Sequence, residues 1–126
     1  MIKLTISGRP ASKKNSKRVV RNHATGRVFV IPSKGYEAFN AAAVMEIKLL
    51  MKKNGWKTIT LPIRVDYYFF QKGKLKQDFD NAIGSINDVL QDAGLIADDD
   101  LIVRGTFEKV SGCKDWETIV TIRNLD

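Results

Sequence analysis

KQDFDNAIGSINDVLQDAGLIADDDLI, residues 76–102, joins an extended segment, a helical repeat and a second apolar run, and so sets the α+β order of the chain. Within it Ile83, Ile86, Val89, Leu90 and Ala93 recur at helical spacing and Gly94 follows as a stop, so the pattern predicts a helix over residues 81–93. Asp80-Asn81 opens that helix. Just upstream, Asp78 and Asp80 are two residues apart at the end of an extended segment, which directs both carboxylates to the same side. Just downstream, Asp98, Asp99 and Asp100 precede an apolar run that begins at Leu101. A strand returning beside the first would carry one or two of these three towards Asp78 and Asp80.

The chemistry of this stretch is as marked as its periodicity. From Asp78 to Asp100 there are seven carboxylates (Asp78, Asp80, Asp88, Asp92, Asp98, Asp99, Asp100) and no lysine or arginine, in a chain of net charge +7. Crowded carboxylates repel and take up protons unless a cation is shared between them, and a hard divalent ion with oxygen ligands suits such a set. Ordinary structural roles compete with this. An aspartate before a helix is a common N-cap worth about 1 kcal/mol, and aspartates in a turn are often simply solvated. A cap accounts for one of Asp78 and Asp80, not for both. Asp88 and Asp92, four apart on the polar helix face, read as surface residues, with Asp88 able to support the site from behind. The single Cys113 and single His23 exclude a zinc site of nitrogen and sulfur ligands, and a disulfide within the chain, so a metal here is oxygen-bound.

Working outward, residues 2–7 alternate like a strand and residues 27–31 read as another. Residues 36–53 are helical in pattern, with Phe39, Ala42, Ala43, Met45, Ile47, Leu49 and Leu50 giving a broad apolar face, Lys52 and Lys53 near the C-terminal end and Asn54-Gly55 as the stop. Residues 61–70 form a long β-branched and aromatic run that puts Ile63, Val65, Tyr67 and Phe69 on one face, and Tyr68 and Phe70 on the other. Residues 101–110 and 117–123 are expected to form a final antiparallel pair. The expected fold is α+β, one domain over residues 1–126, a mixed sheet packed with two helices in the order ββαβαββ.

Charge is segregated along the chain. Lys3, Arg9, Lys13, Lys14, Lys17, Arg18, Arg21, Arg27 and Lys34 all fall in residues 1–36, which contain no Asp or Glu. The densest part, Ser12-Lys13-Lys14-Asn15-Ser16-Lys17-Arg18, interleaves small polar residues with cations, as expected of a mobile loop that touches phosphates; a loop that merely aids solubility is the plainer alternative. A second acid-free basic run, Lys72-Gly73-Lys74-Leu75-Lys76, abuts the carboxylates. With 44% apolar and 28% charged residues the composition is globular, no window resembles a spanning helix, and the start lacks a cleavable secretory pattern, so an intracellular, cytoplasmic protein is expected. His23, Cys113, Trp56 and Trp116 read as structural. Tyr68 and Phe70 could stack on unpaired bases, although a core role suits an aromatic strand better.

These residues resemble the RusA family of Holliday-junction resolvases, small homodimeric, Mg²⁺-dependent DNA endonucleases often encoded by prophages. The family pattern is an Asp-x-Asp-Asn opening a helix, an Asp before a Leu within it, and an Asp-Asp pair leading into a strand. Here these are Asp78-Phe79-Asp80-Asn81, Asp88-Val89-Leu90 and Asp98-Asp99. Gly8-Arg9-Pro10 and the Lys13 to Arg18 loop are similar to the family's N-terminal part. The resemblance implies Asp78, Asp80 and Asp99 as catalytic metal ligands, Mg²⁺ as the ion with Mn²⁺ able to substitute, four-way DNA junctions as substrate, and a homodimer. Cleavage would be metal-assisted hydrolysis by paired nicks, with Lys13, Lys14, Lys17, Arg18 and Lys76 on the DNA. One position departs from the family: a lysine common four residues after the second motif aspartate is Gly84 here. Lys76, on the same side of an extended segment as Asp78 and Asp80, could supply the cation instead. Two rivals remain, a family-like protein that binds branched DNA without cleaving it, and an unrelated basic nucleic-acid module whose aspartates are caps and turn residues.

Overall fold

A computed structural model describes residues 1–11, 17–74 and 77–125, and for residues 17, 18 and 32 the backbone alone. The elements run β1 (Ile2–Ser7), β2 (Lys17–Arg21), β3 (Val28–Pro32), α1 (Lys34–Asn54), β4 (Ile63–Lys72), α2 (Phe79–Asp92), a 3-10 turn (Asp99–Leu101), β5 (Ile102–Cys113) and β6 (Glu117–Asn124). The expected order is met except for one added strand. β2 covers Lys17 and Arg18, where the sequence suggested loop, and it pairs antiparallel with β3 as a separate two-stranded ribbon.

The main sheet is mixed, in the order β1-β6-β4-β5. β6 lies between β1 and β4 and is antiparallel to both, while β5 runs parallel to β4. The expected β5–β6 pair therefore does not form. The two strands flank β4 on opposite sides, because α2 carries the chain over the sheet and returns it parallel to β4, leaving β6 to fill the gap on the inner side. β5 is the edge strand and is exposed or half-buried along its whole length. At Gly105 it lies so near β4 that a Cβ would overlap the Val65 carbonyl oxygen.

Both helices bury their apolar residues against one face of this sheet. Leu4 and Ile6 of β1, Ala43 and Ile47 of α1, Val65, Tyr67 and Phe69 of β4, Ile86, Val89 and Leu90 of α2, and Val120 and Ile122 of β6 make one core. Each fully buried aliphatic side chain contributes about 1.5–3 kcal/mol. Ser33 caps α1, its Oγ accepting the Tyr36 amide at 3.1 Å, and Gly55 ends it at φ 66° with its amide on the Met51 carbonyl. On the opposite face of the sheet Asp66 is buried and held by the Thr106 hydroxyl at 2.7 Å, the Thr106 amide at 3.0 Å and the Arg64 Nε at 3.1 Å.

Candidate metal centre

The acidic stretch resolves into three groups with different partners. Asp88 and Asp92 face α1. Asn40 Nδ2 donates to Asp92 Oδ2 at 3.0 Å and to the Tyr36 hydroxyl at 3.4 Å, and Tyr36 is hydrogen-bonded to Asp88. Burial, then the charges of Asp88 and Asp92, push the Tyr36 hydroxyl up to about 12. These two carboxylates serve to lock α1 against α2.

Asp98, Asp99 and Asp100 form the second group. Their carboxylate oxygens lie within 4.8 Å of one another, and they are exposed. Local bonds build the cluster: Asp98 Oδ1 accepts the Asp100 amide at 2.8 Å, and the Gln91 Oε1 of α2 accepts the Asp99 amide at 3.0 Å. Partial desolvation, then a hydrogen bond from Asp98 and the charges of Asp98 and Asp100, raise the Asp99 carboxyl above its ordinary value. Uptake of a proton or of a divalent cation relieves that repulsion.

Asp78 and Asp80 form the third group, at the start of α2. Asp78 occupies the N-cap position yet makes no side-chain cap hydrogen bond, and Asp80 Oδ1 accepts the adjacent Asn81 amide at 3.0 Å. Capping thus explains neither carboxylate. Their segment is pinned from three sides. Gln77 Nε2 donates to the Pro10 carbonyl, Lys109 Nζ of β5 donates to the Gln77 carbonyl at 3.3 Å, and Phe79 stacks on Phe107 of β5 with ring centroids 4.5 Å apart.

One polar stripe joins the last two groups. Asp80, Ile83, Asn87 and Gln91 recur at helical spacing along α2, so they share a face. Ile83 and Asn87 line a cleft of about 540 Å³ together with Tyr67, Asp99, Asp100, Arg104 and Phe107. The Tyr67 hydroxyl donates to Asn87 Oδ1 at 2.6 Å, and burial together with the Asp99 charge raises its pKa. The stripe is long: at about 1.5 Å per residue, Asp80 and Gln91 are roughly 16 Å apart along the axis. In a single chain, Asp99 lies by the last turn of α2 whereas Asp78 and Asp80 lie at its first.

Of the basic residues expected at the DNA, Lys13, Lys14 and Lys76 lie outside the described residues, and Lys17 and Arg18 are described only as strand backbone. Sequence reasoning passed over Arg104, Lys109, Tyr67 and Asn87. The first two had a signal, being cations in the strand that follows the three aspartates, and the other two had none beyond lying on elements already placed. Gly84 stands on the helix four residues from both Asp80 and Asp88, and a Cβ there would meet nothing within 4 Å.

A cluster of carboxylates in a basic α+β chain suits a protein that acts on nucleic acids. The family model described as Endodeoxyribonuclease RusA matches residues 7–123, and the chain belongs to that family. No curated protein matches it.

Proposed function

We propose that the protein is a Mg²⁺-dependent, structure-specific endodeoxyribonuclease that resolves four-way DNA junctions by paired symmetric nicks, with Asp78, Asp80 and Asp99 as the cation ligands and Mn²⁺ able to replace Mg²⁺. The observation that carries this reading is the pairing of an N-cap carboxylate without a cap bond with a second acidic group whose oxygens crowd within 4.8 Å, in a RusA-family chain. The donors are all hard oxygens, which fit Mg²⁺ and disfavour softer ions. When bound, the ion supplies an activated water and neutralises charge on the attacked phosphate and the leaving 3′ oxygen.

The chain's own residues supply the rest. The Phe79–Phe107 stack and the Lys109–Gln77 contact hold the Asp78 and Asp80 segment rigidly on β5, which presents both carboxylates to a phosphate without a search. Arg104 and Lys109 flank the acids with cations suited to the phosphate oxygens. Lys13, Lys14, Lys17, Arg18 and Lys76 grip the backbone of the junction arms.

The separation along α2 favours a site completed between two copies. In a homodimer of this kind Asp78 and Asp80 of one copy would meet Asp99 of the other. Two such composite sites match the approximate twofold symmetry of a four-way junction. A cytoplasmic role in DNA recombination and repair follows from that substrate.

Gly84 supports a second reading, a junction binder without turnover, since a helix cation common in the family is missing there. Incubating the protein with a synthetic four-way junction and Mg²⁺ or Mn²⁺ decides between them. Symmetric nicks that disappear in Asp80→Asn support the nuclease, whereas binding without nicks under both ions overturns it in favour of the binder.

A further inference from the structure

The ribbon of β2 and β3 stands apart from the main sheet. Its register pairs Val19 with Val30, Val20 with Phe29 and Arg21 with Val28, so Val19, Arg21, Val28 and Val30 share one face. On that face Val19 is 69%, Val30 64% and Val28 55% exposed, against 40% and 42% for Val20 and Phe29 behind them. A two-stranded ribbon is marginal by itself in water, and valines left this bare in a row mark a surface that is covered in use.

The end of the ribbon is firmly built. Asn22 Oδ1 accepts the Ala24 and Thr25 amides at 2.9 and 3.3 Å, the Gly26 amide reaches the Asn22 carbonyl at 2.7 Å, and the Asn22 amide reaches the Arg27 carbonyl at 2.7 Å. Gly26 sits at φ 73°, where an L side chain would be strained. Such a tip keeps the ribbon in one shape before it meets a partner.

Charge selects the occupant. Residues 17–32 carry Lys17, Arg18, Arg21 and Arg27 and no Asp or Glu. A second copy of the ribbon would bring the same cations into contact, while a polyanion neutralises them. Size agrees, because the major groove of B-DNA, about 12 Å wide, admits a two-stranded β-ribbon.

We propose that the β2–β3 ribbon lies in the major groove of a duplex arm, with Arg21 and Arg27 on the phosphates and the Val19, Val28 and Val30 face against base edges and thymine methyls. This rests on the reading of the chain as a nuclease acting on DNA, and adds a grip built on an element separate from those that carry the carboxylates.

Two double variants test it, Arg21→Ala with Arg27→Ala, and Val19→Thr with Val30→Thr, the latter keeping β-branched residues in the strands. Each is titrated against a linear duplex and a four-way junction over a range of salt, with hydroxyl-radical footprinting of the DNA and sedimentation of the free protein. The arginine pair is expected to flatten the slope of log affinity against log salt by about 1.8 on both DNAs. The threonine pair is expected to weaken binding about 3- to 10-fold with the slope unchanged, and both should lose a protected groove on one arm with no change in sedimentation. Unchanged affinity, slope and footprint overturn the proposal, as does a threonine variant whose oligomeric state changes while its DNA binding does not. Wild-type protein that binds and nicks junctions while the variants match it sinks the ribbon assignment alone; wild-type protein that binds no DNA sinks the nuclease reading with it.

Discussion

Lys109 Nζ lies 3.3 Å from the carbonyl oxygen of Gln77, the residue that precedes Asp78. The bond ties the edge strand of the sheet to the segment that carries two of the acids, and it brings a cation to the acidic end of α2. Lys109→Ala is expected to change unfolding stability by less than about 1 kcal/mol, since the lysine is at the surface, yet to slow junction nicking at least 10-fold. Single-turnover nicking beside a thermal melt measures both. An unaltered nicking rate would leave Lys109 only a tether.

The proposal of a site shared between two copies makes a sharper prediction. Asp80→Asn and Asp99→Asn should each be inactive alone. Mixed and allowed to exchange subunits, they should recover nicking at one strand of each junction, because one of the two shared sites then holds an intact Asp78, Asp80 and partner Asp99. A site formed within each chain predicts no recovery from any mixture.

Cation binding should register in stability as well. Mg²⁺ at tenfold above its dissociation constant stabilises the folded state by about 1.4 kcal/mol. Asp99→Asn should lose that increment while melting no lower than the wild type without metal, because Asp98 and Asp100 repel the carboxylate it removes. Calorimetry with and without Mg²⁺ checks both halves.

Gly84→Ala should stabilise the protein by up to about 1 kcal/mol, since a glycine within a helix is replaced where an added Cβ meets nothing. Gly84→Lys keeps most of that gain and sets a cation one turn from Asp80. Nicking faster than wild type is the expected outcome, and a rate equal to that of Gly84→Ala would show that the helix cation is dispensable in this chain.

Acid should unfold the protein partly through Asp66. Burial by itself would raise this carboxyl, but hydrogen bonds from the Thr106 hydroxyl, Arg64 and the Thr106 amide outweigh it and hold the pKa below the ordinary value. A depressed folded-state value means that the stabilisation is complete above the unfolded value of about 3.9 and fades as pH falls below it. Asp66→Asn should therefore cost about 1–3 kcal/mol at neutral pH and progressively less in acid. Urea titrations at several pH values measure the difference.

Much of this architecture was legible in the chain. The apolar periodicities of α1, α2 and β4 place each element to within a few residues, because packing on one face imposes them. β2 was hidden since Lys17-Arg18-Val19-Val20-Arg21 reads as a charge run, and its partner valines supply the pairing without any core to mark it. The β5–β6 error has another cause. A short turn-rich link between consecutive strand-like runs, residues 111–116, suggests a hairpin locally, but β4 offers both strands a more buried neighbour, and non-local pairing won. At the site, charge counting found all the acids and could not assign partners, since Asn40 and Tyr36 come to Asp88 and Asp92 only through the packing of α1 on α2. Among the described residues only Asp98, Asp99 and Asp100 bring their oxygens within 4.8 Å of one another, and the sequence could not show that Asp78 and Asp80 stay outside that group.

The close approach of Gly105 to Val65 bears on how loss-of-function screens will read. Position 105 borders the same cleft as Asp99, and any side chain there would push β5 off its neighbour at a cost of about 1–3 kcal/mol or more. Random mutagenesis scored by nicking will rank this glycine with the aspartates, though it touches no phosphate. Melting temperature separates them: the aspartate variants stay folded, and the glycine variants fail by losing their edge strand.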